Sequence, residues 1–181
     1  MFEHLADVLN LSESTIALMM VIGMSLSAQG DPIPGTQHLY VRGGGLIYDM
    51  DRNITWLQDA NYSMTSGYDS DGRMTWEEAM MWASQLVYGG YDDWRLPTTI
   101  PLTTGSNLPD DYVNQTLSEM GHLFHIELGN TNYYTMYPLS PVNYGPFLNI
   151  VGYRHHWSST ERDVSQAFAF DFSEQAYPMA A

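Results

Sequence analysis

The chain has 181 residues, 44% of them apolar, and a formal charge of −15 set by 21 acidic residues against six arginines and no lysine. That length supports one ordinary core. A charge of that sign argues against nucleic acid, anionic lipid and sulfated polymers as partners, because each requires cationic patches. The absence of cysteine removes disulfides, thiolate metal sites and a cysteine nucleophile.

Residues 15–28 form an apolar run too short to span a membrane, and the run ends in Ala28-Gln29-Gly30, a small-x-small site. Residues 1–30 therefore read as a signal-peptide-like segment, although Glu3, Asp7 and Glu13 stand where basic residues normally precede such a run. The other reading is an amphipathic helix packed on the domain. Residues 31–181 read as a single domain. Asp31 to Gly35 is expected to be a proline linker, and His38 to Arg42 a short strand before Gly43-Gly44-Gly45. Leu46 to Asp49 and Ile54 to Leu57 form a hairpin signature across Met50-Asp51-Arg52-Asn53.

Asp59 to Gly72 is a polar loop leading to the clearest element of the chain. Thr75 and Glu78 form a capping box, and Trp76, Ala79, Met80, Ala83, Leu86 and Val87 follow at helical spacing, with Gly89-Gly90 as the expected stop. Tyr91 to Pro97 then leaves as an extended aromatic segment. Residues 98–113 read as loop. A second helix is predicted from Ser118 to Leu128, with Met120, Leu123, Phe124 and Leu128 on one side. Residues 130–153 are rich in tyrosine and proline and read as irregular structure. His156 to Ser159 and Ala167 to Phe172 read as strands, the latter with Phe168, Phe170 and Phe172 on one face. The stripe at Trp76, Met80, Ala83 and Leu86 is expected to pack on the sheet carrying Phe168 and Phe170, with Trp94 buried nearby.

The landmarks Gly45-Leu46-Ile47-Tyr48-Asp49, Asn53 to Tyr62, Asp71 to Trp76, Gly90 to Pro97, Gly121-His122-Leu123-Phe124 and Trp157-Ser158-Ser159-Thr160-Glu161 occur in a distinctive order. In this order the chain resembles the Lcl C-terminal domain family, named after the C-terminal part of a bacterial collagen-like adhesin. The likeness covers about residues 40–172. Its Trp-Arg-Leu-Pro and Trp-Ser-Ser-Thr-Glu segments are also similar to parts of C-type-lectin-like and sulfatase-modifying-factor domains. The resemblance implies an α+β, C-type-lectin-like fold, with two helices flanking small antiparallel sheets. It further implies an exported binding or adhesion domain. The alternatives are an enzyme of the sulfatase-modifying-factor-like fold or a structural module without a small-molecule ligand. The related oxidases resemble cysteine-dependent enzymes, which a chain without cysteine does not match. The family usually adds another aromatic strand after the position of Phe172. Ser173 to Ala181 reads as lacking one, so a C-terminally truncated domain is expected.

Four groups of residues are candidates for function. Gly67 to Glu78 matches a calcium-loop register through Asp69, Asp71, Gly72 and Glu78, with Gly67 in place of the first ligand. The competing reading is an acidic turn that caps a helix. Glu119, His122 and His125 lie at helical spacing and make half of a zinc or iron site, or else polar and satisfied core groups. Asp92-Asp93-Trp94-Arg95 could recognise a ligand, or Trp94 could anchor the core with Arg95 paired to a carboxylate such as Glu161. Tyr133, Tyr134, Tyr137, Tyr153 and Trp157 offer stacking faces to a glycan or protein ligand, with Ca2+ assistance from Asp69, Asp71 and Glu78. The same rings could equally fill an irregular core. No motif names a catalytic residue.

Overall fold

Alternating side chains and turn residues build the first sheet. In the computed structural model, which describes residues 30–100, 116–130, 141–151, 155–164, 166–172 and 179–180, β1 (Asp31–Pro32), β2 (Leu39–Gly43), β3 (Leu46–Asp49) and β4 (Ile54–Leu57) pair antiparallel in chain order. The expected hairpin is present, in register from Leu46–Leu57 to Asp49–Ile54. Asn53 closes its turn at φ 52°, a conformation that asparagine tolerates better than most side chains. Asp31–Pro32, read from sequence as linker, is instead an edge strand on β2; proline is tolerated there because an edge strand leaves amides unpaired.

The polar loop after β4 contains one helical turn, α1 (Tyr62–Thr65), before α2 (Trp76–Gln85). Both arms of the Thr75–Glu78 capping box form: Thr75 Oγ1 accepts the Glu78 amide (3.3 Å) and Glu78 Oε2 accepts the Thr75 amide (2.9 Å). The helix ends at Gln85, earlier than the glycine pair. Leu86 is already extended and Val87 is 73% exposed, so the apolar stripe stops short of both. Gly89-Gly90 instead makes a two-residue turn, with φ of 62° and 86° and reciprocal 3.0 Å bonds between Tyr88 and Tyr91. Positive φ at both central positions is the geometry that a glycine pair supplies.

The second helix forms as predicted, but in two pitches. Ser118 caps α3 (Glu119–His122), which continues as a π-helical turn over Leu123–Glu127, closed by the Leu128 amide on the Leu123 carbonyl five residues back. Its apolar side (Met120, Leu123, Phe124, Leu128) is buried with Leu39 and Ile47 of the first sheet and with Phe147, Phe170 and Phe172. The second sheet is β5 (His155–Asp163), β6 (Gln166–Asp171) and β7 (Met179–Ala180), antiparallel in that order. β7 is a short strand without an aromatic side chain; pairing needs only backbone groups, so a two-residue run suffices.

The architecture is α+β: helices and two small antiparallel sheets around a shared core. The sheet carrying Phe168 and Phe170 meets both helices: the Phe170 ring packs on Phe124 of the π turn, and α2 reaches the same sheet through β5, the pairing of stripe and sheet that was expected. On α2, Ala79 and Ala83 are buried, whereas Trp76, Met80 and Leu86, expected to be buried, are half-buried. In β6 both Phe168, Phe170 and the small Ala167, Ala169 are buried, so the alternation marks two covered faces rather than one wet face. The signal-like segment, most of the loop at 98–113 and most of the tyrosine-rich segment lie outside the described residues. No helix among the described residues is long and apolar enough to cross a membrane.

Candidate functional site

Four of the five tryptophans line one cleft of about 1220 Å³ between the two sheets: Trp56 from β4, Trp82 from α2, Trp94 from the extended segment and Trp157 from β5. Three of these rings are tied to the fold by their indole N–H. Trp157 Nε1 donates to the Met74 carbonyl (2.9 Å), Trp94 Nε1 to Tyr88 (3.2 Å) and Trp56 Nε1 to Asp49 Oδ2 (3.4 Å). Rings fixed in this way present apolar faces without a large further loss of side-chain entropy on binding. Trp76 answers Trp157 from across the helix start, donating to the Ser158 carbonyl (2.8 Å), so α2 and β5 are clamped in both directions. Trp94 is half-buried against Tyr88 and Tyr91, each 6.3 Å away, and is a cleft wall rather than the buried core anchor expected.

The Trp-Arg-Leu-Pro and Trp-Ser-Ser-Thr-Glu segments lie side by side. Pro97 accepts the Ser159 amide (2.8 Å), and Thr99 and Thr160 exchange two bonds of 2.9 Å. Arg95 does not meet Glu161, which is exposed; its guanidinium forks onto Glu119 at 2.7 and 2.8 Å, and Glu119 also accepts the Thr98 amide. Burial pushes the Glu119 carboxyl up, but the Arg95 fork and the Thr98 amide outweigh it and hold the group below the usual carboxylate range. Arg95 and Glu119 both line the cleft with Asp93, Asn61 and Asn149, which supply polar groups beside the rings.

Of the tyrosine group, Trp157 stands in the cleft wall, and Tyr133, Tyr134, Tyr137 and Tyr153 lie outside the described residues. Val151 and His155, which flank Tyr153 in sequence, both line the cleft. Asp69, Asp71 and Glu78 do not converge on a common point among the described residues. Asp69 Oδ1 accepts the amides of Asp71, Gly72 and Arg73 at 2.6–3.2 Å, led in effect by that of Asp71, which holds its carboxyl low. Glu78 serves the cap. The loop therefore spends these oxygens on its own backbone, the arrangement of a polar turn entering a helix.

Glu119, His122 and His125 likewise go three ways. His125 is buried, with Nδ1 3.0 Å from the Asn130 carbonyl; Glu119 holds Arg95; His122 faces Asp51 and Glu127. Burial pushes the His125 imidazole below its usual value near 6.5, against a smaller opposing pull from Asn130. The unfolded chain then takes up this proton at about pH 6.5, whereas the fold takes it only at lower pH. Its stabilising contribution is present above that value and is lost as pH falls through the folded value. Thermal unfolding at pH 7 and pH 5 should show a smaller acid loss for His125→Gln than for the wild type; an equal loss would contradict this.

Around His122 the structure assembles a group that the sequence did not reveal. Asp49 (0% exposed), His122 (8%) and Glu127 (1%) bring one ligand atom each within 4.8 Å of one another, and His38 and Asp51 extend the cluster around Glu127. Asp49 comes from β3, and the π turn is what brings His122 and Glu127, five residues apart, onto one side.

A family model, that of the Lcl C-terminal domain, matches residues 45–180 and so takes in all four cleft tryptophans. The chain belongs to this family. No curated protein and no solved structure matches it. The residues of this Lcl C-terminal domain that carried the resemblance therefore meet in space: two of its motif segments are hydrogen-bonded to each other, and each contributes a ring to the cleft.

Proposed function

We propose that this Lcl C-terminal domain is an exported, non-enzymatic binding or adhesion module that takes a neutral glycan into the tryptophan-walled cleft. The convergence of Trp56, Trp82, Trp94 and Trp157 on one cleft carries this reading. Flat apolar rings match the C–H faces of a sugar, and adjacent amide, carboxylate and guanidinium groups match its hydroxyls. A charge of −15 favours a neutral over an acidic glycan. A C-type-lectin-like arrangement is part of the proposal, supported by the small antiparallel sheets and flanking helices. An array of neutral oligosaccharides, probed with and without calcium, tests it. Binding to a defined subset supports the reading, and loss of signal on chelation that added calcium restores would add calcium assistance. An array without any bound glycan would instead favour a protein ligand or a structural module.

Export rests on the apolar run at 15–28 and Ala28-Gln29-Gly30. Produced in a bacterium, the chain should appear in the periplasmic or secreted fraction without its first ~30 residues by mass spectrometry. Intact protein confined to the cytosol would contradict it.

A further inference from the structure

We propose that Asp49, His122 and Glu127 form a binding site for a divalent transition-metal ion of the zinc or manganese class, with His38 and Asp51 beside it. Two observations point to a cation rather than to a self-satisfied polar cluster. The first is that Glu127 Oε1 and His122 Nε2 are buried without a hydrogen-bond partner, although each belongs to a group more than nine-tenths buried. Leaving a buried carboxylate oxygen unpaired is costly, and a metal ion removes that cost. The second is that the remaining oxygens are fixed from behind. Glu127 Oε2 accepts the His38 amide (2.8 Å), while Asp49 Oδ1 accepts the Arg52 amide (3.0 Å) and Asp49 Oδ2 the Trp56 indole N–H (3.4 Å). Ligands held from behind by hydrogen bonds have the outer-shell support of a metal centre.

The spacing fits such an ion. Ligands ~2.0–2.1 Å from a tetrahedral zinc stand about 3.4 Å apart, and His122 Nε2 lies 3.5 Å from Glu127 Oε1. Asp51 Oδ2 lies 3.7 Å from the same nitrogen, and His38 Nδ1 lies 3.0 Å from Asp51 Oδ1, outside hydrogen-bonding geometry. Three carboxylates face two imidazoles, and among the described residues no arginine forms an ion pair with Asp49, Asp51 or Glu127; Arg52 spends Nη2 on the Thr116 carbonyl. A mixed nitrogen and oxygen set favours zinc, manganese or iron over calcium, which takes oxygen ligands. The competing arrangement is a His122 imidazolium held between carboxylates, with no ion.

Tag-free full-length protein, stripped with EDTA, should bind one Zn2+ per chain in a calorimetric titration and unfold at a higher temperature with zinc present. His122→Asn and Glu127→Gln should each weaken binding by roughly 10–100-fold, whereas His155→Asn should not. Because the two buried variants could fail to fold, Co2+ added to the wild type gives a second reading. Visible absorption from cobalt with nitrogen and oxygen ligands is expected, with NMR broadening centred on residues 38, 49, 122 and 127. Absence of stoichiometric zinc, or broadening centred on His155 and His156 instead, would overturn the site in favour of the imidazolium arrangement.

Discussion

Phe124→Ala should destabilise the domain by about 3–5 kcal/mol, the cost of emptying a large buried aromatic site. Phe124 is 2% exposed and stands where the elements meet. Its ring packs edge-on against Phe170 (5.7 Å), Phe172 (6.0 Å) and His125 (5.0 Å), in the same cluster as Leu39 and Ile47 of the first sheet. Truncation leaves a cavity shared by both sheets and by α3, which no single side chain can move to fill without giving up its own contacts. Urea denaturation measures the loss directly. Phe124→Leu should fall well short of it, and a change below ~1 kcal/mol for the alanine variant would mean that the sheets are not joined through this ring.

The second large effect concerns the cleft. For a neutral oligosaccharide selected by the array, Trp82→Ala and Trp157→Ala should each cost about 2 kcal/mol of binding, roughly thirtyfold in Kd, as expected for an aromatic anchor in a desolvated site. The two variants differ usefully. Trp157 also bonds Met74 and helps clamp α2 to β5, so its loss should lower stability as well as affinity. Thr75→Ala serves as the control: loss of the cap should cost about 1 kcal/mol of stability with affinity intact. Calorimetry on folded variants separates these results. Affinity unchanged in both tryptophan variants would remove the cleft as the binding site.

Signals carried by neighbouring residues were legible in the sequence. The capping box at Thr75 and Glu78, the hairpin from Leu46 to Leu57 and the helix beginning at Ser118 each depend on residues a few positions apart. Pairings across the chain were not. Two helices each carried an apolar stripe, and periodicity says that a stripe needs a face without saying which strand supplies it; the Phe170 ring packs on Phe124, and α2 reaches the same sheet at β5. Arg95 found Glu119, not Glu161, because the loop through Thr98 is bonded to the start of α3. Gly89-Gly90 looked like a helix stop, yet it serves a turn between Tyr88 and Tyr91, a use that glycine satisfies equally well.

The candidate sites show the same division. Trp94 and Trp157 drew attention from their motifs, but only the fold places Trp56 and Trp82 beside them. His122 is visible as a helical histidine, and α-helical spacing offers it Glu119 and His125 as partners. The π turn substitutes Glu127, and β3 supplies Asp49 from 73 residues away, counting from His122. Nothing local in the sequence announces either change of partner.

Indole N–H signals of the isotopically labelled wild type, followed by NMR while a neutral oligosaccharide from the array is added, test the central claim most directly. The five tryptophans give five reporters, four of them lining the cleft and the fifth, Trp76, turned to Ser158 outside it. If the cleft is the glycan site, Trp56, Trp82, Trp94 and Trp157 shift with a common dissociation constant while Trp76 stays in place; shifts confined to Trp76, or saturating binding that moves none of the four, would contradict it.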